Sequence, residues 1–155
     1  YREVLLSDAF YGGLSAASGL KPAPDKLITL TNERTESAVV YDYETKKNFS
    51  VYQPEKLSSP DPYDIYLGGA KALLEIRVPH PQSGRELVLF RDSFGSSIAP
   101  LLLEEYDVIY VVDLRYITVS NAMQYISPAP DCDVLFLYST ATLSGGGIRL
   151  ESLDG

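Results

Sequence analysis

The sequence has no tryptophan, one cysteine, one histidine and one methionine among its 155 residues. A single thiol, Cys132, excludes an internal disulfide and leaves the compartment open. Its neighbours Asp131 and Asp133 disfavour a thiolate, so Cys132 is read as structural. One cysteine and one histidine (His80) leave no set of ligands at metal-binding spacing, and neither a metal nor any other cofactor is expected. Basic residues are also scarce. Thirteen Lys and Arg against 21 Asp and Glu give a net charge of −8, without the positive footprint that nucleic acid or an anionic membrane surface requires. No apolar run approaches the roughly 18 residues of a membrane span, and no secretory leader is recognisable. The triplet Gly145-Gly146-Gly147 opens no basic helix and precedes no Lys-Ser or Lys-Thr, so it is not a phosphate-binding loop. The first residue is Tyr1, and the chain is expected to be a C-terminal fragment of a longer polypeptide, forming a single domain over residues 1–155.

What is present suits an α/β fold. The chain is 45% hydrophobic and 22% charged, ordinary for a globular domain, and a domain this long buries about 70% of its extended surface without staples. A short strand is expected near Val4–Leu6. Strands are expected at Leu27–Leu30, Ala38–Tyr43 and Asn48–Tyr52, and the short gaps between these three suggest an antiparallel meander. Gln53–Tyr66, interrupted by Pro54, Pro60 and Pro62, reads as loop. After a strand near Ala72–Val78 the pattern alternates: strand Glu86–Phe90, helix Ile98–Glu105, strand Val108–Val112, helix near Ser120–Ile126, strand Val134–Leu137. These strands are continuous β-branched or leucine runs, as expected where both faces of a sheet are covered. Alternation with short loops implies a parallel sheet in the C-terminal half. The tail from Ser144 is expected to be loose.

The run Leu87–Phe90 ends in Arg91-Asp92-Ser93-Phe94-Gly95-Ser96-Ser97, and a helical pattern follows. A strand that turns sharply into a helix places one side chain, here Ser93, at the carboxyl edge of the sheet, where ligands of open α/β sheets bind. Ser96 or Ser97 is expected to cap the helix, whose first N–H groups would suit a developing oxyanion. In a parallel layout Asp113 and Arg115, just beyond the next strand, share that edge with Ser93.

These residues resemble the bacterial DHHW family, itself similar to SGNH hydrolases and to the alginate-type O-acetyltransferases of cell-envelope polysaccharide modification. The resemblance rests on Arg91–Ser96, Pro100-Leu101-Leu102 and Tyr106–Tyr116. Asp64-Ile65-Tyr66-Leu67-Gly68-Gly69 is similar to the family's Gly-Gly block, and Asp8–Leu14 to a block nearer the amino end. It implies a three-layer SGNH or flavodoxin-like, mostly parallel sheet in the C-terminal half, with antiparallel strands from the N-terminal half. It also implies Ser93 as nucleophile, the backbone N–H groups of Ser93 and Gly69 as oxyanion donors, a carbohydrate substrate, and an extracytoplasmic or cell-surface location. Two departures stand out. Ala70 occupies a position where the family usually has Asn, and the Asp-His-His-Trp motif that would supply the base is absent.

Each residue also has a plainer reading. Ser93 could simply cap its turn. Asp92 could orient Ser93 or bond loop N–H groups, the commoner role of Asp in tight turns. Asp113 and Arg115 could bind substrate or form an ion pair that closes the loop. Gly68-Gly69 could donate to an oxyanion or supply positive φ. The tyrosines, among them Tyr41, Tyr43, Tyr52, Tyr63 and Tyr66, could stack on sugars but at strand spacing more often pack. His80 lies before the strand that Ser93 follows, about 20 Å away at the rise of a strand, and Lys71 beside Gly-Gly suits a solvated surface. The chain alone is therefore expected to be inactive. The parent reads as an esterase or O-acetyltransferase working through an acyl-serine, or as a non-catalytic extracytoplasmic domain that binds glycan or protein.

Overall fold

The computed structural model describes residues 1–12 and 22–148. The ends of two stretches read from the sequence, Gly13 and Leu14 of the amino-end block and the tail beyond 148, lie outside them. Among the described residues, eight strands and four short α-helices occur in the order β1 (Arg2–Phe10), β2 (Asp25–Thr31), α1 (Glu33–Ser37), β3 (Val39–Asp42), β4 (Lys47–Ser50), β5 (Leu73–Arg77), β6 (Glu86–Arg91), α2 (Gly95–Ile98), β7 (Val108–Val112), α3 (Val119–Ala122), β8 (Asp133–Leu137) and α4 (Thr140–Ser144). Six strands form one sheet in the order β4-β3-β5-β7-β6-β8. The pairs β7–β6 and β6–β8 are parallel, whereas β4–β3, β3–β5 and β5–β7 are antiparallel. The fold is thus α/β with a mixed sheet, whose parallel part belongs to the C-terminal half.

Alternation along the strands builds two cores. Leu74, Ile76, Leu87, Leu89, Ile109 and Val111 point to one face, where Ala99 and Leu103 cover them. Leu73, Val88, Phe90, Tyr110 and Val112 point to the other, covered by Leu114, Ala122 and Ile126. Because β6 and β7 are buried along their length, they need apolar residues at nearly every position. Each fully buried leucine or isoleucine there contributes about 1.5–3 kcal/mol.

The expected antiparallel meander does not form. β3 and β4 make a hairpin, but β2 pairs with β1 in a separate two-stranded sheet. Tyrosines fix that sheet to the main body. The Tyr52 hydroxyl donates to the Leu30 carbonyl at 2.8 Å, and the Tyr66 hydroxyl donates to the Ile28 carbonyl. Between β2 and β3 stands α1. Asn32 caps it in a reciprocal box with Thr35, satisfying N–H groups that the first turn leaves free. Gln53–Tyr66 is two 3-10 turns, Pro54–Ser58 and Pro62–Ile65, rather than open loop. The helix after Ser93 starts at Gly95, earlier than expected, and continues over Ala99–Glu104 as a 3-10 helix, in keeping with a proline at its second position.

Candidate active site

β6 delivers the chain to the site. Its last residue, Arg91, is fully buried. Asp92 is also buried, and the next residue, Ser93, emerges exposed in a turn. Two main-chain bonds shape that turn: Gly95 N–H donates to the Asp92 carbonyl and Ser96 N–H to the Ser93 carbonyl, both at 3.1 Å. Neither Ser96 nor Ser97 caps α2, which begins without a side-chain cap. Ser97 instead donates to the Phe94 carbonyl and accepts the Tyr63 hydroxyl at 2.8 Å. With only four α-helical residues, α2 contributes little dipole, so the helix-start donors expected from the sequence reduce to local N–H groups.

Asp92 holds the turn from beneath. One carboxylate oxygen accepts the Phe94 N–H at 3.1 Å. The other accepts the Ser139 N–H and the Thr142 hydroxyl, each at 2.8 Å. Burial alone would raise its pKa, but these donors more than offset that and hold the carboxyl below its ordinary range. Asp92 therefore makes loop bonds and ties the Ser93 turn to the start of α4. The Ser93 hydroxyl takes part in no hydrogen bond among the described residues, and the same is true of its backbone N–H.

The Asp113 carboxylate is wholly buried and meets two guanidinium groups. Arg115 grips it through Nε at 2.9 Å and Nη2 at 2.7 Å, a bidentate geometry. Arg91 reaches it through Nη1 at 3.3 Å. Asp113 and Arg115 thus form an ion pair within the loop. Burial pulls the Arg91 pKa down, with Asp113 opposing, and Arg91 Nε and Nη2 are buried without partners. The Arg91 stem packs so closely under α2 that a Cβ at position 95 would lie 2.5 Å from Arg91 Cβ, which explains Gly95.

Gly69 adopts φ +90°, and a Cβ there would sit 2.3 Å from Asp64 Oδ1. Its N–H donates to the Tyr66 carbonyl at 3.2 Å. In this structure that bond closes a turn. Lys71 is bound to Asp42 at 2.9 Å. His80 is exposed before the amino end of β6, at the opposite end of that strand from Ser93. Cys132 is partly buried, and burial reinforced by Glu86, Asp131 and Asp133 pushes its thiol up. Six tyrosines among the described residues serve as ties: besides Tyr52, Tyr63 and Tyr66, Tyr43 donates to Glu75 at 2.8 Å, Tyr1 to the Leu101 carbonyl at 3.0 Å and Tyr106 to Asp133 at 2.9 Å.

Sequence reasoning missed Ser139 and Thr142, the outer partners of Asp92, and Arg91 itself. The first two were signalled by Ser139-Thr140-Ala141-Thr142, since Ser139 caps α4 by accepting from Thr142 N–H. An arginine closing an otherwise apolar strand was the signal for the third. Two hollows bounded by described residues do not include Ser93 in their lining. One, of about 350 Å³, is bounded by Leu6, Phe10, Leu57 and Pro62. The other, of about 260 Å³, is bounded by Tyr41, Asn48, Glu75 and Arg77. No helix among the described residues is long and apolar enough to cross a membrane.

No protein-family model and no curated protein matches the sequence. Solved structures do match the fold. A DHHW family protein from Eubacterium siraeum superposes with a TM-score of 0.68 at 22% identity, over 98% of this chain and 54% of its own. Bacillus cereus PatB1 with a sulfonyl adduct gives 0.68 at 19% identity, over 98% and 51%, and PatB1 itself gives 0.57 at 19%, over 85% and 46%. The chain spans about half the length of the structures it matches. What it shares with the DHHW family protein and with PatB1 is the fold, and the resemblance read in Arg91–Ser96 and Tyr106–Tyr116 agrees with that likeness.

Proposed function

We propose that this chain is the nucleophile-bearing part of an SGNH-like acyl-transfer protein, with Ser93 as the residue that is acylated. The observation that carries this reading is the exposed Ser93 hydroxyl, unpaired at the tip of a turn that the buried carboxylate of Asp92 holds in place. A nucleophile needs access, a fixed position and freedom from competing bonds. PatB1 bears a sulfonyl adduct, and sulfonyl groups are captured by nucleophilic hydroxyls, which adds support.

In the proposed reaction Ser93 Oγ adds to the carbonyl carbon of an acetyl donor while a base removes the hydroxyl proton. The oxyanion is met by the Ser93 backbone N–H. Collapse breaks the bond to the leaving alcohol, which takes the proton from the base. A carbohydrate hydroxyl or a water then attacks the acetyl-serine and gives its proton to the base, and the bond from the acyl carbon to Ser93 Oγ breaks as Oγ takes that proton back. The base would come from an Asp-His-His-Trp segment outside these residues, because His80 stands at the wrong end of β6 and Lys71 is tied to Asp42. The complete fold would then be a three-layer SGNH arrangement outside the cytoplasm, with envelope carbohydrate as acceptor.

A second reading, a non-catalytic domain that binds glycan or protein, is favoured by one observation: the Gly69 N–H is engaged with Tyr66. Full-length protein given p-nitrophenyl acetate separates the two. Acyl transfer predicts a loss of about 10³-fold or more in kcat/KM for Ser93→Ala. It also predicts a sulfonyl fluoride adduct on Ser93 in intact-mass and peptide mapping. Equal turnover by both proteins and no adduct would establish the second.

A further inference from the structure

The strip of the main sheet formed by β4, β3 and β5 carries the hollow of about 260 Å³, lined by Val39, Tyr41, Asn48, Glu75, Arg77 and Pro79. Tyr41 stands directly opposite Asn48 on one side and Glu75 on the other, so these three side chains share one face of the sheet. It is the face of the second core, because Glu75 in turn pairs with Tyr110, a member of that core. The cover over that core stops short of this strip: Val39 is 43% exposed and the Arg77 side chain 53%. Arg77 and Glu86 both pair with Val108, so the hollow lies toward the amino end of β6, whereas Ser93 follows its carboxyl end.

We infer that this hollow is a binding site for a neutral oligosaccharide, separate from the serine turn. A sugar ring presents an apolar C–H face and a rim of hydroxyls that both donate and accept. The Tyr41 ring, Val39 and Pro79 supply the apolar contact. The Tyr41 hydroxyl and the Asn48 amide have no hydrogen-bond partner among the described residues, and each can donate and accept. Glu75 is fixed before any ligand arrives, accepting the Tyr43 hydroxyl at 2.8 Å and Arg77 Nε at 2.9 Å, which lowers the ordering cost of binding. Charge selects against other occupants. Glu75 and Arg77 neutralise each other at 2.8 Å on a chain of net charge −8, so an anion finds no unpaired cation and a cation no unpaired carboxylate. An apolar protein segment seated here would strip water from polar groups without replacing it. The rings also continue beyond the hollow: Tyr41 meets Tyr43 edge-on with centroids 4.9 Å apart, and Tyr43 meets Tyr125, 61% exposed, at 6.1 Å. That extension suits a chain of sugars rather than one ring. The inference rests on β3, β4 and β5 and not on the chemistry of Ser93, so it stands or falls separately from the proposed acyl transfer.

Isothermal titration calorimetry of the full-length protein tests it, with neutral hexasaccharides of glucose, mannose and N-acetylglucosamine as probes and a galacturonic acid hexamer as the anionic control. The expected result is a Kd below about 1 mM for at least one neutral probe, weakened about 10-fold or more by Tyr41→Ala and by Asn48→Ala. Turnover of p-nitrophenyl acetate, whatever its level, is expected to be the same in both variants as in the parent. Asn48 is exposed on the outermost strand, so its truncation keeps the fold even if that of Tyr41 does not. Three results would overturn the proposal. One is no binding of any neutral probe. Another is binding that Asn48→Ala and a folded Tyr41→Ala both keep within about 2-fold, which would place the sugar elsewhere on the protein. The last is tighter binding of the galacturonic acid hexamer, which would make the hollow an anion site built on Arg77.

Discussion

Replacing Asp92 with asparagine changes one atom and removes a charge from a buried network. Asp92 is 1% exposed, so water cannot compensate. In the native turn one oxygen serves Phe94 N–H at 3.1 Å, and the other serves Ser139 N–H and the Thr142 hydroxyl at 2.8 Å each. Asparagine keeps the first contact and turns an NH2 group toward the other two. The Thr142 hydroxyl can rotate and accept instead; the Ser139 N–H cannot. Hydrogen bonds to a charged group contribute about 1.5–3 kcal/mol each, and an abandoned buried donor costs about as much. The expected loss is therefore about 2–4 kcal/mol, or roughly 5–12 °C in Tm for a domain of this size. Urea unfolding at 25 °C measures it. A double-mutant cycle with Thr142→Val should be non-additive by more than about 0.5 kcal/mol, because the two residues share one contact. The pH dependence has a definite sign. The carboxyl is held below its ordinary 3.8, so its contribution is complete above the unfolded pKa and is lost as pH falls through the folded one. The deficit of Asp92→Asn should be constant from pH 7 to about pH 5 and shrink below about pH 4. A deficit under about 0.5 kcal/mol, or one that does not change on acidification, would refute the claim that this carboxylate fastens the serine turn to α4.

Other substitutions test neighbouring parts. Asp107 accepts from Arg34 at 2.7 Å and from the N–H groups of Gln82, Ser83 and Gly84; burial opposes ionisation, but these donors prevail and push the carboxyl down to about 2. That corresponds to about 2 kcal/mol of stability at neutral pH, so Asp107→Asn should show this deficit in urea at pH 7 and lose most of it by about pH 2. Gly69→Ala combines a disfavoured φ with a Cβ against Asp64; a loss of about 2–4 kcal/mol is expected by thermal melting, and Asp64→Ala in the same chain should restore part of it. Around Asp113 the partners are unequal. Asp113→Asn strips the counter-charge from a buried arginine and should cost about 3–5 kcal/mol, whereas Arg91→Met keeps the bidentate Arg115 contact and removes two unpartnered nitrogens, so its change in chemical denaturation should stay within about 1 kcal/mol.

The central strands were legible because burial on both faces imposes one kind of side chain. Leu87–Phe90 and Val108–Val112 have no polar interruption, and the structure places β6 and β7 there within one residue. Their parallel pairing followed from the intervening helical pattern. The amino half was harder because strand partners there are not set by strand composition. Leu27–Leu30 is as compatible with a meander as with β1, and what decides is a pair of phenols more than 20 residues downstream. α1 was hidden because its capping box is written with Asn32 and Thr35 rather than the commoner Ser or Thr with Glu. At the site, the exposed position of Ser93 could be anticipated from a strand-turn-helix pattern. The engagement of the Gly69 N–H and the approach of Arg91 to Asp113 are three-dimensional facts with no local sequence signature.

The two tyrosine ties have a consequence for how the small sheet can change. Ile28 and Leu30 are two apart, so their carbonyls point to the same side of β2, and each is held by a phenol of fixed reach. The residue between them, Thr29, presents its main-chain groups to the opposite side. A slip of the β1–β2 ribbon by one residue would therefore confront both phenols with no acceptor, while a slip of two would offer them carbonyls again. The attachment works like a ratchet with a two-residue tooth.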